Sequence, residues 1–229
     1  MKFKEVFSLF LDALYPPKCV FCGTTISPGT ALCEQCEEKN PPIYEDRWLP
    51  LEGQKQGLQC KVLYHYKLGV KQAILDFKFH DKPENSKFFA EKMKDFLLLS
   101  YNTLQIDCTT VVPISKQRKK ERGYNQSEML AKYFMKFSGI PYISCLEKKK
   151  DNEEQHKLSA KERKQNVIGV YICPNHEIVL GKTILLLDDI VTTGHTLSEC
   201  ARTLYVAGAK LVVCAAIATS PPELYECYS

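Results

Sequence analysis

The chain has 229 residues, 45% apolar and 25% charged, with a net charge of +4. This is the composition of an ordinary soluble protein, long enough for one sizeable core plus a small module. The charge is unevenly spread: residues 115–164 carry 14 Lys/Arg against 7 Asp/Glu, a local +7 that leaves −3 for the rest, and such a basic middle suits a polyanionic partner, diphosphate included.

The opening apolar run, Val6 to Leu14, is broken by Asp12 and followed by no small-x-small cleavage site, so no export signal is expected. The longest other apolar stretch, Leu211 to Ala218, is strand-sized and no transmembrane segment is expected. The expected location is the cytoplasm. Disulfides are rare in that reducing setting, and Cys-x-x-Cys pairs suggest metal.

In chain order, Phe3 to Leu14 has the spacing of a short amphipathic helix, stopped by Pro16-Pro17. Cys19-x-x-Cys22 and Cys33-x-x-Cys36 follow, separated by ten polar, turn-rich residues. Two such turns close a four-thiolate tetrahedral shell, so Cys19, Cys22, Cys33 and Cys36 are expected to hold structural zinc. The loop between them could make no core alone, and metal binding would supply its folding energy. After Pro41-Pro42 the segment to Gly57, with the single tryptophan Trp48, reads as loop. Gln59 to Tyr66 reads as a strand, and Gly69 to Phe79 and Asn85 to Leu99 as helices. Tyr64-His65-Tyr66 and Lys78-Phe79-His80 mix aromatic and basic residues, which suits either base stacking or an amphipathic core edge.

Thr109 to Ile114 is a buried-strand candidate, running into a cation-rich loop from Ser115 to Gln126 and a helix from Ser127 to Phe137. Gln155 to Asn166 is polar and reads as a cover over the basic loop. Val167–Ile172 and Glu177–Leu180 read as short strands, and Lys182–Leu187, a helix to Val206 and Leu211–Ala218 as a βαβ unit. Pro221-Pro222 is expected to end the ordered structure, with no segment left for a nucleobase lid. The remaining cysteines (60, 108, 145, 173, 200, 214 and 227) lack metal spacing and are expected in the core.

The most informative stretch is Ile184 to Thr196. Four aliphatic residues suit a strand buried on both faces. Asp188 and Asp189 follow where that strand is expected to end, side by side and in need of something to bind: the vicinal hydroxyls of a sugar, a hydrated magnesium ion, or both. Thr192, Thr193, Gly194, His195 and Thr196 then form a small-residue turn before a helix, the arrangement by which α/β proteins hold phosphate on backbone N–H groups. A ribose 5-phosphate fits across it. These residues resemble the signature of the type I phosphoribosyltransferases, in which the acids hold the ribose hydroxyls, partly through Mg²⁺, and the loop binds the 5-phosphate of phosphoribosyl diphosphate (PRPP). The resemblance gives Asp188 and Asp189 the catalytic role and Thr192 to Thr196 the phosphate. Thr192 stands where purine enzymes of the hypoxanthine type place an acid, and a threonine is a poor proton acceptor, so purine salvage is disfavoured. The site requires both acids to be left open by the chain's own lysines and arginines, and the loop to be clear of side chains.

In the same family the loop after an early core strand binds diphosphate, a role that falls here to Pro113, Ile114, Ser115 and Lys116. That loop carries a narrower resemblance. Val112-Pro113-Ile114, Arg118 and Arg122-Gly123-Tyr124-Asn125-Gln126 resemble the corresponding element of the ComF-type competence proteins. The finger, the Tyr64-x-Tyr66-Lys67 strand, Ile74-x-x-x-Lys78-Phe79, Gln155-x-x-Leu158 with Arg163 and Asn166, the Asp-Asp loop and Ala207-Gly208-Ala209 complete the set. His195, Tyr124 and Tyr66 depart from the usual small residue, Phe and Gly. The resemblance implies a cytosolic factor handling incoming single-stranded DNA in natural transformation. It implies a type I phosphoribosyltransferase-like α/β fold, a parallel sheet flanked by helices, over residues 56–229 and a helix and zinc finger module over residues 1–55. Lys116, Arg118, Lys119, Lys120 and Arg122 suit DNA phosphates, with the Lys148-Lys149-Lys150 run, and Tyr124 suits stacking. Expected partners are PRPP or a similar ribose phosphate, single-stranded DNA and other DNA-uptake proteins. The competing expectation is an active Mg-dependent phosphoribosyltransferase in nucleotide salvage or modification.

Overall fold

A computed structural model describes residues 16–51, 53, 57–79, 82, 84–115, 117, 120, 125–149 and 169–220. The expected helix over Phe3–Leu14, the cover over Gln155–Asn166, Cys227 and the segment from Pro221 on lie outside the described residues.

The aliphatic run becomes the middle of a nine-residue strand, Thr183–Val191 (β6). It lies parallel to Cys108–Val111 (β3) on one side and Leu211–Thr219 (β7) on the other. β7 pairs in parallel with Leu58–His65 (β2), and Glu45–Leu49 (β1) closes the edge antiparallel to β2, giving the order β1-β2-β7-β6-β3. The first half of β6 shows no alternation of apolar and polar residues because both its faces are covered: Ile184 and Leu186 pack into one apolar layer, Leu185 and Leu187 into the other.

Among the described residues, three helices cover one face and one covers the other. Leu68–Phe79 (α2), Glu84–Ser100 (α3) and Gln126–Ser138 (α4) bury Ile74, Phe89, Met93, Leu130 and Phe134 on the side of Leu185 and Leu187. His195–Val206 (α5) buries Leu197, Cys200, Ala201 and Leu204 against Ile184 and Leu186. Each large side chain buried this way contributes about 1.5–3 kcal/mol. α4 starts at Gln126, one residue before the expected Ser127: the Asn125 side chain caps it by accepting from Ser127 N at 3.0 Å, and Gly139 stops the helix at φ 76°. The short helix Glu34–Lys39 (α1) belongs to the cysteine-bearing segment. Cys60, Cys108, Cys145, Cys173, Cys200 and Cys214 are all buried, as expected.

The structure corrects several expectations about the elements. The segment after Pro41-Pro42 is not all loop: Glu45–Leu49 is an edge strand. An edge strand turns one row of residues to water, and three charges in five residues conceal it from a hydrophobic pattern. Glu177–Leu180 is a turn, closed by the N–H groups of Val179 and Leu180 on the His176 carbonyl at 3.1 Å each. Within Val167–Ile172 only Tyr171–Ile172 (β5) is a described strand, paired with Glu147–Lys148 (β4). Finally, the strand expected to Ile114 stops at Val111, because Pro113 carries no N–H for a ladder.

Candidate functional site

The four cysteines converge. The Sγ atoms of Cys19, Cys22, Cys33 and Cys36 all lie within 4.8 Å of one another, and those of Cys22 and Cys33 are 3.7 Å apart. Thiolates tetrahedrally bound to zinc at about 2.3 Å would stand about 3.8 Å apart, so the donor set fits the ion. Cys33 N–H donates to Cys19 Sγ at 3.4 Å, which favours a charged sulfur. Hydrogen bonding with Thr24 pulls the Cys22 thiol down to about 6, toward the thiolate that binds metal.

The ribbon is docked on the body through Phe21, which is buried edge-on against Tyr64 and Phe88 with ring centroids 6.0 and 5.6 Å away. A Cβ at Gly69 would come within 2.6 Å of Phe21 Cβ, so α2 approaches the ribbon closely only because that residue is glycine. Asn40 ties the two ends together, accepting from Gly69 N at 3.1 Å while donating to Cys36 O at 2.8 Å.

The second site lies at the carboxyl edge of the sheet. Strand β6 does not end before the acids, as the sequence suggested, but runs through them to Val191, with Asp188 opposite Ala216 and Val191 opposite Thr219. Side chains alternate along a strand. The acids therefore leave it on opposite faces rather than side by side. Asp188 sits on the α5 face, on the side of the buried Cys200 and Cys214, and accepts from Asp189 N at 2.9 Å. Asp189 faces α2, whose Lys78 Nζ lies 2.6 Å from its Oδ2.

That ion pair overturns the expectation that both acids stand open. Its side chains are only 18% and 15% exposed, and a carboxylate in so little water needs a countercharge. The loop is also not clear of side chains. Gly194, at φ 80°, caps α5, and a Cβ there would come within 2.7 Å of Leu49 Cδ2 on β1. Thr192 is exposed, and Thr193, His195 and Thr196 are half-buried around this turn.

The loop after β3 arrives beside the acids. Val112 N–H donates to Leu187 O at 3.1 Å, one rung beyond the strand, so Pro113, Ile114 and the buried Ser115 flank the end of β6. Lys120 is exposed. Lys116, Arg118, Lys119, Arg122 and Tyr124 lie outside the described residues. Sequence reasoning placed Lys78 in an aromatic and basic cluster and missed it as the partner of Asp189; the signal available was a lysine between two aromatic residues in the last turn of a helix. Among the described residues, His65 Nδ1 at the end of β2 and Ser198 Oγ in the first turns of α5 are buried without a hydrogen-bond partner.

Burial, then the neighbouring Asp189 charge, pushes the Asp188 carboxyl from 3.8 up to about 8, against the opposing pull of the Asp189 N–H and Lys78. A raised carboxyl binds its proton more tightly folded than unfolded. Its contribution to stability is therefore full at acid pH and is lost as pH rises through about 8. Urea midpoints measured between about pH 5 and about pH 9 should fall for the wild type and flatten for Asp188→Asn. Parallel curves for the two proteins would show that Asp188 is already ionised.

A mostly parallel five-stranded sheet between helical layers, with acids and a helix N-terminus at the carboxyl edge of β6, a strand paired on both sides, is the layout of the phosphoribosyltransferases. The phosphoribosyl transferase domain pattern matches residues 122–226, and a double zinc ribbon domain pattern matches residues 10–47. The protein thus has a phosphoribosyltransferase-type fold with an N-terminal four-cysteine zinc ribbon.

The chain is also similar to competence and DNA utilization proteins. It is 28% identical to competence protein ComFC of Streptococcus pneumoniae, over 84% of this chain and 96% of that protein. It is 27% identical to the DNA utilization protein YhgH of Salmonella typhimurium, over 85% and 80% of the two. Among solved structures, the glutamine PRPP amidotransferase of B. subtilis is similar at 19% identity and a TM-score of 0.41, with 62% of this chain covering 30% of that one.

Proposed function

We propose that this protein is a cytoplasmic competence factor that handles incoming single-stranded DNA, and that its sheet domain binds PRPP or a similar ribose phosphate together with Mg²⁺. The Lys78–Asp189 pair closes one acid in the unliganded protein, so the ligand reading requires the pair to open when ligand binds. The observation that carries it is the course of β6, which bears Asp188 and Asp189 and then turns through Gly194 into the N-terminus of α5. Carboxylate oxygens suit a hard magnesium ion, and backbone N–H groups at a helix start suit a phosphate. The unpartnered Ser198 Oγ beside that start favours a polar occupant. The names of the ComFC and YhgH relatives support the DNA reading, as does the basic run from Lys116 to Arg122, whose cations suit phosphates while Tyr124 suits a base.

Two units divide the work in this reading. The four-cysteine ribbon holds zinc and offers a surface to other DNA-uptake proteins, and the sheet domain, to which β1 belongs, holds the ribose phosphate. No helix among the described residues is long and apolar enough to cross a membrane.

Calorimetric titration of PRPP with and without Mg²⁺ tests the ligand reading, and a titration without binding heat in both cases overturns it. For DNA, the double variant Arg118→Ala with Arg122→Ala should weaken single-strand binding and reduce the salt slope by about 1.4, at about 0.7 for each phosphate no longer neutralised. An unchanged slope removes the basic loop from the interface. The alternative, an active Mg-dependent transferase in nucleotide salvage or modification, uses the same site. Diphosphate release from PRPP in the presence of one nucleobase and not others would establish it.

A further inference from the structure

Lys78 had no place in the expected chemistry, yet its ammonium is the only cation among the described residues that pairs with either acid. Its surroundings are built rather than incidental. The Lys78 carbonyl accepts from Gln126 Nε2 at 3.1 Å, which ties the end of α2 to the first residue of α4, the helix that follows the basic loop. The Tyr66 ring, half-buried, stands in the field of both charges. The backbone of Lys78 is therefore fixed while its charge sits at the tip of a flexible four-carbon stem, a compact cation that can exchange one anionic partner for another.

We propose that Lys78 is the resident cation of this site: with no ligand it occupies the place beside Asp189 that a divalent ion takes, and when the ribose phosphate arrives it turns to the ligand's phosphate oxygens. The inference rests on the ribose-phosphate reading and names a residue and a movement within it. The charges require the exchange. A divalent ion brought to Asp189 repels an ammonium held 2.6 Å from the same oxygen, while the incoming polyanion attracts it. Lys78 thus both suppresses metal binding to the empty acids and adds a contact to the loaded site.

The test uses zinc-loaded protein and two titrations, Mn²⁺ alone followed by paramagnetic resonance and PRPP at saturating Mn²⁺ followed by calorimetry. Lys78→Gln should bind Mn²⁺ alone about tenfold more tightly, and PRPP about tenfold more weakly, than the wild type. Lys78→Arg retains the charge, so it should restore the suppression of Mn²⁺ binding even where Lys78→Gln folds poorly, and thermal melts report on folding separately. A structural lysine would move the melting temperature without tightening Mn²⁺. Wild-type and Lys78→Gln proteins that match in both titrations overturn the inference and leave the ligand reading standing. Wild-type protein that binds no PRPP overturns both.

Discussion

Chelating the metal from the four-cysteine ribbon should unfold the segment from Cys19 to Cys36 and loosen the face of the sheet on which it rests. Little in that segment could hold it otherwise: α1 buries no residue, and the polar loop between the cysteine pairs has no core of its own. A structural zinc contributes about 10–16 kcal/mol of apparent binding free energy, all of it available to folding. The loss propagates because Phe21, 2% exposed, fills the space between Tyr64 and Phe88. Exposing that ring removes about 1.5–3 kcal/mol of burial, plus about 0.5–1.5 kcal/mol for each edge-on aromatic contact. Trp48 is the chain's single tryptophan and lies on β1, only a short way along the chain from the ribbon. Its fluorescence should therefore shift with chelator, and the melting temperature should drop; Cys33→Ser should reproduce both. Metal-free protein that melts like the holo form would show that the ribbon is an ornament on an independently stable body.

Asp189→Ala should destabilise the unliganded protein by about 3 kcal/mol, at the low end for breaking a buried pair because both partners keep some water. The cost comes from Lys78, left as a cation only 18% exposed with its carboxylate partner removed. The double variant Asp189→Ala with Lys78→Met removes both charges and should recover most of the loss. Denaturant melts of the wild type, both single variants and the double variant would give the coupling directly. Additive effects would show that the pair contributes nothing net and that Asp189 matters for the ligand alone.

The two sites differ in how they are encoded, and the difference explains what could be read in advance. The ribbon is local: two Cys-x-x-Cys turns fourteen residues apart specify their own ligands, and spacing alone identifies the chemistry. β6, α5 and β7 were legible for a similar reason, since a strand covered on both faces must be continuously aliphatic and a helix lying on it must repeat every three to four residues. β1 was hidden because an edge strand of three charged residues has only one partner to satisfy and no apolar row to display.

What the sequence by itself determined, then, is the set of elements around the site: the aliphatic strand bearing Asp188 and Asp189, the threonine and glycine turn, the helix after it, the Val112–Ser115 loop and the four thiols. Only the tertiary structure decided what surrounds the acids. It set Lys78 on Asp189 across more than a hundred residues of chain, directed Asp188 to the opposite face among buried thiols, and brought Leu49 of the edge strand against Gly194. The physical reason is that hydrophobic period and turn chemistry are fixed by near neighbours, whereas the countercharge of a buried carboxylate comes from whichever helix the folded sheet places against it.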